Sequence, residues 1–229
     1  MEFSYLNLEE TQQARGVVVV IDVLRAFSTA AYAFDAGAAS IAVVATIDQA
    51  FRMKREDPGL ILIGEKGGWP VEGFDYGNAP SEVIGEDLNG KRLVMRTSAG
   101  TQGVVRTQHA GTILAASLVC AKATAEYIHK QAPDAVSFII TGSDEGGFGD
   151  EDQACADYIV DLLQGCPSDK QKLKARVWNS GWGRRFGDPD YPFLDSADKD
   201  YCTRIDTFNF YMHYEMKAGV QALRGYQPG

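Results

Sequence analysis

Short apolar runs without polar alternation are the feature that most restricts what this chain can fold into. They occur at "VVVVID" (17–22), "SIAVVAT" (40–46), "LILIGE" (60–65), "RLVMRT" (92–97), "TILAAS" (112–117) and "AVSFIITG" (135–142). A strand with one wet face alternates apolar and polar residues, so runs of this kind are buried on both faces. Between them lie segments with helical spacing: "FSTAAYAFDAG", for which Gly37 is a stop, "IDQAFRMKRE", "LVCAKATAEYIHKQ", and "EDQACADYIVDLLQG", which stops at Gly165. Strand and helix in alternation predict an α/β protein, a three-layer α/β/α arrangement with a largely parallel central sheet, a mixed one being open. After residue 166 the rhythm changes. "SDKQKLKARVWNSGWGRRFG" reads as a helix, and a segment rich in Pro, Asp and Tyr follows. No repeat, low-complexity tract or linker divides the 229 residues. The expected organisation is one α/β domain, or two intimately packed α/β halves, with 167–229 docking on the main sheet.

Composition narrows the function classes. With 31 acidic and 22 basic residues the formal net charge is -9, which argues against a nucleic-acid binder, whose surface must neutralise phosphates. An anionic ligand would have to be held by a local cation or a metal. The opening "MEFSYLNLEETQQARG" has no basic start leading into an apolar core, and no apolar run approaches the roughly 18–20 residues of a membrane span. A cytoplasmic protein without membrane contact is expected; a homodimer is left open. Cys120, Cys155, Cys166 and Cys202 form no CxxC pair, so buried free thiols are expected rather than zinc or redox chemistry. His109, His129 and His213 stand apart from any nucleophile arrangement. The chain has no GxGxxG after a strand, no GxxxxGK[ST] and no GxSxG.

In parallel sheets ligands collect at the carboxyl ends of the strands. Four such ends here combine hydroxyls, glycines and carboxylates. After the first run come Asp22, Arg25, Ser28 and Thr29; after "LILIG" come Glu65, Lys66 and the stretch reaching Asp75 and Asn78; then "TSAGT" (97–101) and "SDEGGFGDED" (143–152). Asp22 could hold a hard cation, Arg25 offers a planar donor fork for an oxyanion, and Ser28 or Thr29 could cap the helix or bond the ligand. Equally, Arg25 could simply pair with Asp22. "TSAGT" has the small residues of an anion-binding nest, with Thr97, Ser98 and Thr101 as donors. Glu65 and Asp75 are oxygen ligands suited to magnesium. Asp150, Glu151 and Asp152 are accounted for by a helix start, and gain a metal role only in company with the other loops.

The blocks "VVVVIDVLRAFSTA", "GEKGGWPVEGFDYGNAPSE", "TSAGTQG" and "GDEDQACADYI" resemble, in order and spacing, the signature blocks of the 2-phosphosulfolactate phosphatase family, with a weaker likeness at "ADKDYCTRIDT" (197–207). The resemblance implies an α/β/α fold, Mg2+, and hydrolysis of the phosphate ester of a small sulfonated acid. By that reading Asp22, Arg25 and Glu65 are catalytic; Ser28, Thr29, Lys66, Asn78, Thr97, Ser98, Gly100 and Thr101 bind the anionic phosphorylated substrate; and Asp22, Asp75, Glu151 and Asp152 hold metal. Lys66 or Arg96 would meet a second anionic group. Two departures stand out. The family usually reads GER where this chain has Gly64-Glu65-Lys66, and TTNGT where it has Thr97-Ser98-Ala99-Gly100-Thr101. Lysine loses the guanidinium's bidentate fork, and alanine loses an amide. A phosphoaspartyl intermediate at Asp22 and a metal-activated water both stay open, since the acid two residues on that the haloacid-dehalogenase pattern requires is Leu24 here. The other readings are a phosphatase for a different phosphorylated acid and a non-catalytic anion-binding module.

Overall fold

The computed structural model describes residues 1–144, 147–217 and 219–229; Glu145 and Gly146, which fall in the 143–152 loop, lie outside the described residues. In chain order the elements are β1 (Glu2–Leu6), β2 (Val17–Ile21), α1 (Ala26–Asp35), β3 (Ser40–Val43), α2 (Ile47–Glu56), β4 (Ile61–Lys66), β5 (Trp69–Pro70), α3 (Pro80–Val83), β6 (Arg92–Arg96), α4 (Gly100–Arg106), β7 (Thr112–Ala116), α5 (Ala121–Gln131), β8 (Ala135–Ile140), β9 (Ser143–Asp144), β10 (Gly147–Phe148), α6 (Asp150–Gln164), α7 (Lys170–Trp178), α8 (Ser196–Cys202), β11 (Tyr211–Lys217) and β12 (Val220–Tyr226). Among the described residues ten strands form one mixed sheet, in the order β1-β8-β2-β7-β11-β12-β3-β6-β4-β5. It reads as two parallel half-sheets, β1-β8-β2-β7 and β3-β6-β4, joined in the middle by the antiparallel hairpin β11–β12. The three-layer α/β/α architecture follows, with the sheet mostly parallel.

The unbroken apolar runs are explained by burial on both faces. Along β2, Val18 and Val20 enter one core cluster while Val17, Val19 and Ile21 enter another. On the second half-sheet Leu93 and Met95 face the first cluster and Val94 a third. The first cluster also holds Ile41 and Ile63 from that half-sheet, and Ala26, Phe27, Ala30, Ala31 and Tyr32 from α1. A helix buried on nearly every side, as α1 is from Ala26 to Ala33, is what packing on the middle of the sheet against β7 and β12 under α3, α4 and α8 demands. That placement brings the carboxyl ends of β2 and β6 together although four strands separate them in the sheet order.

Several details differ from the sequence reading. The segment after residue 166 does not lie only against the sheet; its last two strands enter it. In β11 the alternation of buried Met212 and Tyr214 with half-buried His213 and Glu215 is a period-2 signal masked by the Pro, Asp and Tyr around it. The edge strand β1 is similarly half-exposed. The helix expected across 168–187 stops at Trp178. Gly183 packs so tightly there that a Cβ would fall 2.1 Å from the Val177 carbonyl oxygen, which a continuous helix could not allow. Cys120, Cys155 and Cys202 are buried free thiols, as expected, but Cys166 is exposed. Among the described residues no helix is long and apolar enough to cross a membrane.

Candidate functional site

A cleft of about 290 Å³ opens where the two half-sheets present their strand ends, lined by Asp22, Arg25, Glu65, Asn78, Ser98, Glu151 and Asp152 together with glycines and apolar residues. Asp22, Glu65 and Asp152 are placed by backbone donors. Asp22 follows β2 directly; its Oδ1 accepts from the Ala26 amide at 2.9 Å and its Oδ2 from the Gly100 amide at 2.9 Å. The second bond needs glycine, because a Cβ on residue 100 would sit 2.7 Å from that same oxygen. Glu65, at the end of β4, accepts from the amides of Ser98 and Gly68 and, at 3.1 Å, from the Ser98 hydroxyl. Asp152, in the first turn of α6, accepts from the Val23 amide at 2.8 Å and the Gly142 amide at 2.8 Å. The carboxylates therefore stitch the strand-end loops to one another as well as lining the cleft.

Burial and crowding set their chemistry. Burial first, and then the neighbouring Glu65 charge, push the Asp22 carboxyl up to about 6, against the pull of its backbone donors. Asp152 is pushed well above the usual carboxylate range, again by burial first and then by the charges of Asp22 and Glu151. Buried carboxylates that raise one another in this way describe a site that attracts positive charge. Among the described residues the cleft wall carries hard oxygens and no His or Cys, and that set suits Mg2+. Among the described residues no three acidic, His or Cys side chains converge into a closed chelate. An ion that keeps its waters and takes one or two carboxylates plus ligand oxygens fits such a wall.

Arg25 is the one cationic side chain that lines the cleft among the described residues. It does not pair with Asp22. Its Nη1 donates to Asp198 Oδ2 at 3.3 Å, and the guanidinium lies 5.8 Å from the centre of the Phe186 ring. The Leu24–Arg25 peptide is cis.

The remaining sequence candidates are placed elsewhere. Ser28 bonds the Val23 carbonyl and the Ser117 hydroxyl, and Thr29 the Arg25 carbonyl. They secure the start of α1, the structural alternative for both. Thr97 and Thr101 are buried and bonded to each other's amides and hydroxyls, so the nest expected in "TSAGT" spends its amides within the protein: those of Thr97 and Thr101 on these hydroxyls, those of Ser98 and Gly100 on Glu65 and Asp22. Lys66 is exposed and outside the cleft, because the strand period turns it away from the face Glu65 occupies. Arg96 donates to the Glu65 and Ala45 carbonyls. Asp75 is not in the cleft either. It accepts from the Leu62 amide at 2.7 Å and pairs with Lys54 at 3.1 Å, which ties its loop back across β4. The structure adds Leu8, Leu24, Gly67, Gly68, Ala99, Thr141, Gly142, Trp182 and Leu194 to the lining. Trp182 and Leu194 come from the segment after α7, where no local pattern marks them.

Fold and cleft together define an α/β/α protein with an acid-walled, arginine-bearing site at its strand ends, the chemistry expected of a handler of small phosphorylated anions. Compared with known families, the chain matches the family described as 2-phosphosulpholactate phosphatase over residues 4–217. It is 33% identical over 207 residues to a protein of Bacillus subtilis (strain 168), covering 90% of each chain. It is 42% identical over 146 residues to one of Carboxydothermus hydrogenoformans and 42% identical over 149 residues to one of Caldicellulosiruptor saccharolyticus. Those two alignments span 64% and 63% of this chain and 60% and 61% of theirs. All three relatives carry the name "Probable 2-phosphosulfolactate phosphatase". The chain belongs to this family of phosphoric monoester hydrolases.

Proposed function

We propose that this protein hydrolyses 2-phosphosulfolactate to sulfolactate and phosphate with Mg2+ in the cleft. The observation that carries the reading is the convergence of Asp22, Glu65, Glu151 and Asp152 on one small cleft with Arg25 as its cation. A non-catalytic anion receptor would gain nothing from four carboxylates. Glu151 and Asp152, with Asp22 beside them, would hold Mg2+, which when bound supplies charge stabilisation for the phosphoryl oxygens and lowers the pKa of a water. Arg25 binds phosphoryl oxygens, where negative charge spreads in the transition state. Asp22, its carboxyl pushed up to about 6 by burial, exchanges a proton with the nucleophile or the leaving oxygen. Glu65 takes up the Ser98 amide and hydroxyl and the Gly68 amide and so locks the two loops that frame the cleft, and Asn78 meets the acid end of the substrate.

Phosphate release from 2-phosphosulfolactate and from a panel of phosphorylated hydroxy acids, with Mg2+ and with chelator, tests the reading. Mg2+-dependent turnover of the sulfonated ester is expected. Turnover of another ester alone reassigns the substrate, and no turnover of any removes the enzyme reading.

One observation favours a different phosphorylated acid as substrate. Of the two departures from the family pattern, Lys66 lies outside the cleft but Ala99 lines it. If the missing amide relaxes specificity, Ala99→Asn raises kcat/KM for 2-phosphosulfolactate relative to unsulfonated esters by roughly tenfold, the worth of one hydrogen bond to a charged group. A substitution that leaves the ratio unchanged shows that Ala99 does not set specificity.

A further inference from the structure

Arg25 is buried, with a side chain 5% exposed. Among the described residues its guanidinium makes a single hydrogen bond, to Asp198. Asp198, on α8, is equally buried, and its other oxygen accepts from the Ser81 amide of α3 at 2.9 Å. The carboxylate is thus fixed from two sides before it meets the arginine. Asp22 lies near enough for the Arg25 charge to oppose its upward shift, yet no ion pair joins the two. The guanidinium stays on the far wall.

We propose that Asp198 is the positioning residue of the site: it holds Arg25 away from Asp22 so that the unbonded guanidinium N–H groups and the Asp22 carboxylate both face the cleft. Without it the buried guanidinium loses its one carboxylate partner while sharing the cleft with Asp22, and a collapsed Arg25–Asp22 pair would take the phosphate-binding fork and the proton-transfer group together. Asp198 stands in the stretch 197–207, whose likeness to the family is the weakest, and no role was assignable to it from sequence. Because α8 supplies it, the chain after α7 completes the site. This inference rests on the phosphatase reading.

The test is a double-mutant cycle in Mg2+-loaded protein, with wild type, Asp198→Asn, Arg25→Ala and the double variant. Two quantities are read: kcat/KM for phosphate release and the Kd of inorganic phosphate by calorimetry. Asp198→Asn is expected to lower kcat/KM by roughly 10- to 100-fold, the scale of an angstrom-level misplacement, and to weaken phosphate binding. In the Arg25→Ala background it changes neither by more than about twofold, because positioning has nothing left to position. Added methylguanidinium restores activity to Arg25→Ala and not to the double variant. Asp198→Glu, which keeps the charge, retains more activity than Asp198→Asn at equal Tm. Equal losses in both backgrounds, or rescue irrespective of Asp198, overturn the proposal in favour of a purely structural contact. A wild type that releases no phosphate from any ester removes the phosphatase reading instead, and the phosphate-binding cycle still decides the role of Asp198.

Discussion

Replacing Asp22 by asparagine is expected to lower kcat by roughly 10³-fold, the scale of losing a proton-transfer group, while the protein stays folded. The substitution is nearly isosteric, but its amide nitrogen must face one of two donors, the Ala26 or the Gly100 amide. Leaving one buried N–H without an acceptor costs about 1–3 kcal/mol. Against that stands the removal of a buried charge which burial and Glu65 already disfavour. The two effects oppose one another, so the thermal midpoint should move by only a few degrees while activity collapses. Turnover and melting midpoint measured on the same preparation separate the outcomes. A variant with kcat within tenfold of wild type takes Asp22 out of the chemistry, and one that unfolds at assay temperature identifies it as a structural clamp between β2 and α4.

Metal removal carries the second large effect, and its size depends on pH. Asp22 and Asp152 both have folded-state pKa values raised above their unfolded ones. A carboxyl raised in this way prefers its proton in the folded state. Its stabilising contribution is fully present below the unfolded value of about 4 and is lost as pH rises through the folded value, about 6 for Asp22. In chelator, therefore, the melting midpoint should fall as pH rises from about 4 through about 6. Saturating Mg2+ should flatten that fall, because a cation bound to the ionised cluster stabilises the folded state by mass action, about 2.7 kcal/mol at a hundredfold excess over Kd. Phosphate release should drop to background in the same chelated samples. Melting curves with and without Mg2+ across this range decide the matter. Parallel curves would mean that the acids do not hold the ion.

What was legible from sequence and what was not divides along the range of the interactions. Val17 to Ile21 declare a doubly buried strand because both faces of a parallel strand meet apolar neighbours, and that requirement is written in consecutive residues. Gly165 marks the end of α6 just as locally, by taking the left-handed conformation at φ 69°. Asp22, Arg25, Glu65 and Ser98 were legible as cleft residues because strand ends are where ligands gather, whereas Glu151 and Asp152 read locally as the start of a helix. Asp75 had the same local credentials as Glu65. Only the fold shows that it turns back to the Leu62 amide and Lys54 while Glu65 turns to the Ser98 loop.

By itself, then, the sequence determined the alternation of elements, the layer architecture and the family, all of which depend on periodicity and on contiguous blocks. The tertiary structure alone decided that β11 and β12 enter the middle of the sheet, that Trp182 and Leu194 reach the cleft, and that Asp198 reaches Arg25. The physical reason is that these outcomes rest on pairings between residues far apart in the chain. Arg25 and Asp198 are 173 positions apart and Asp22 and Gly100 are 78, and each contact exists only once strand order and helix placement have brought the two ends together.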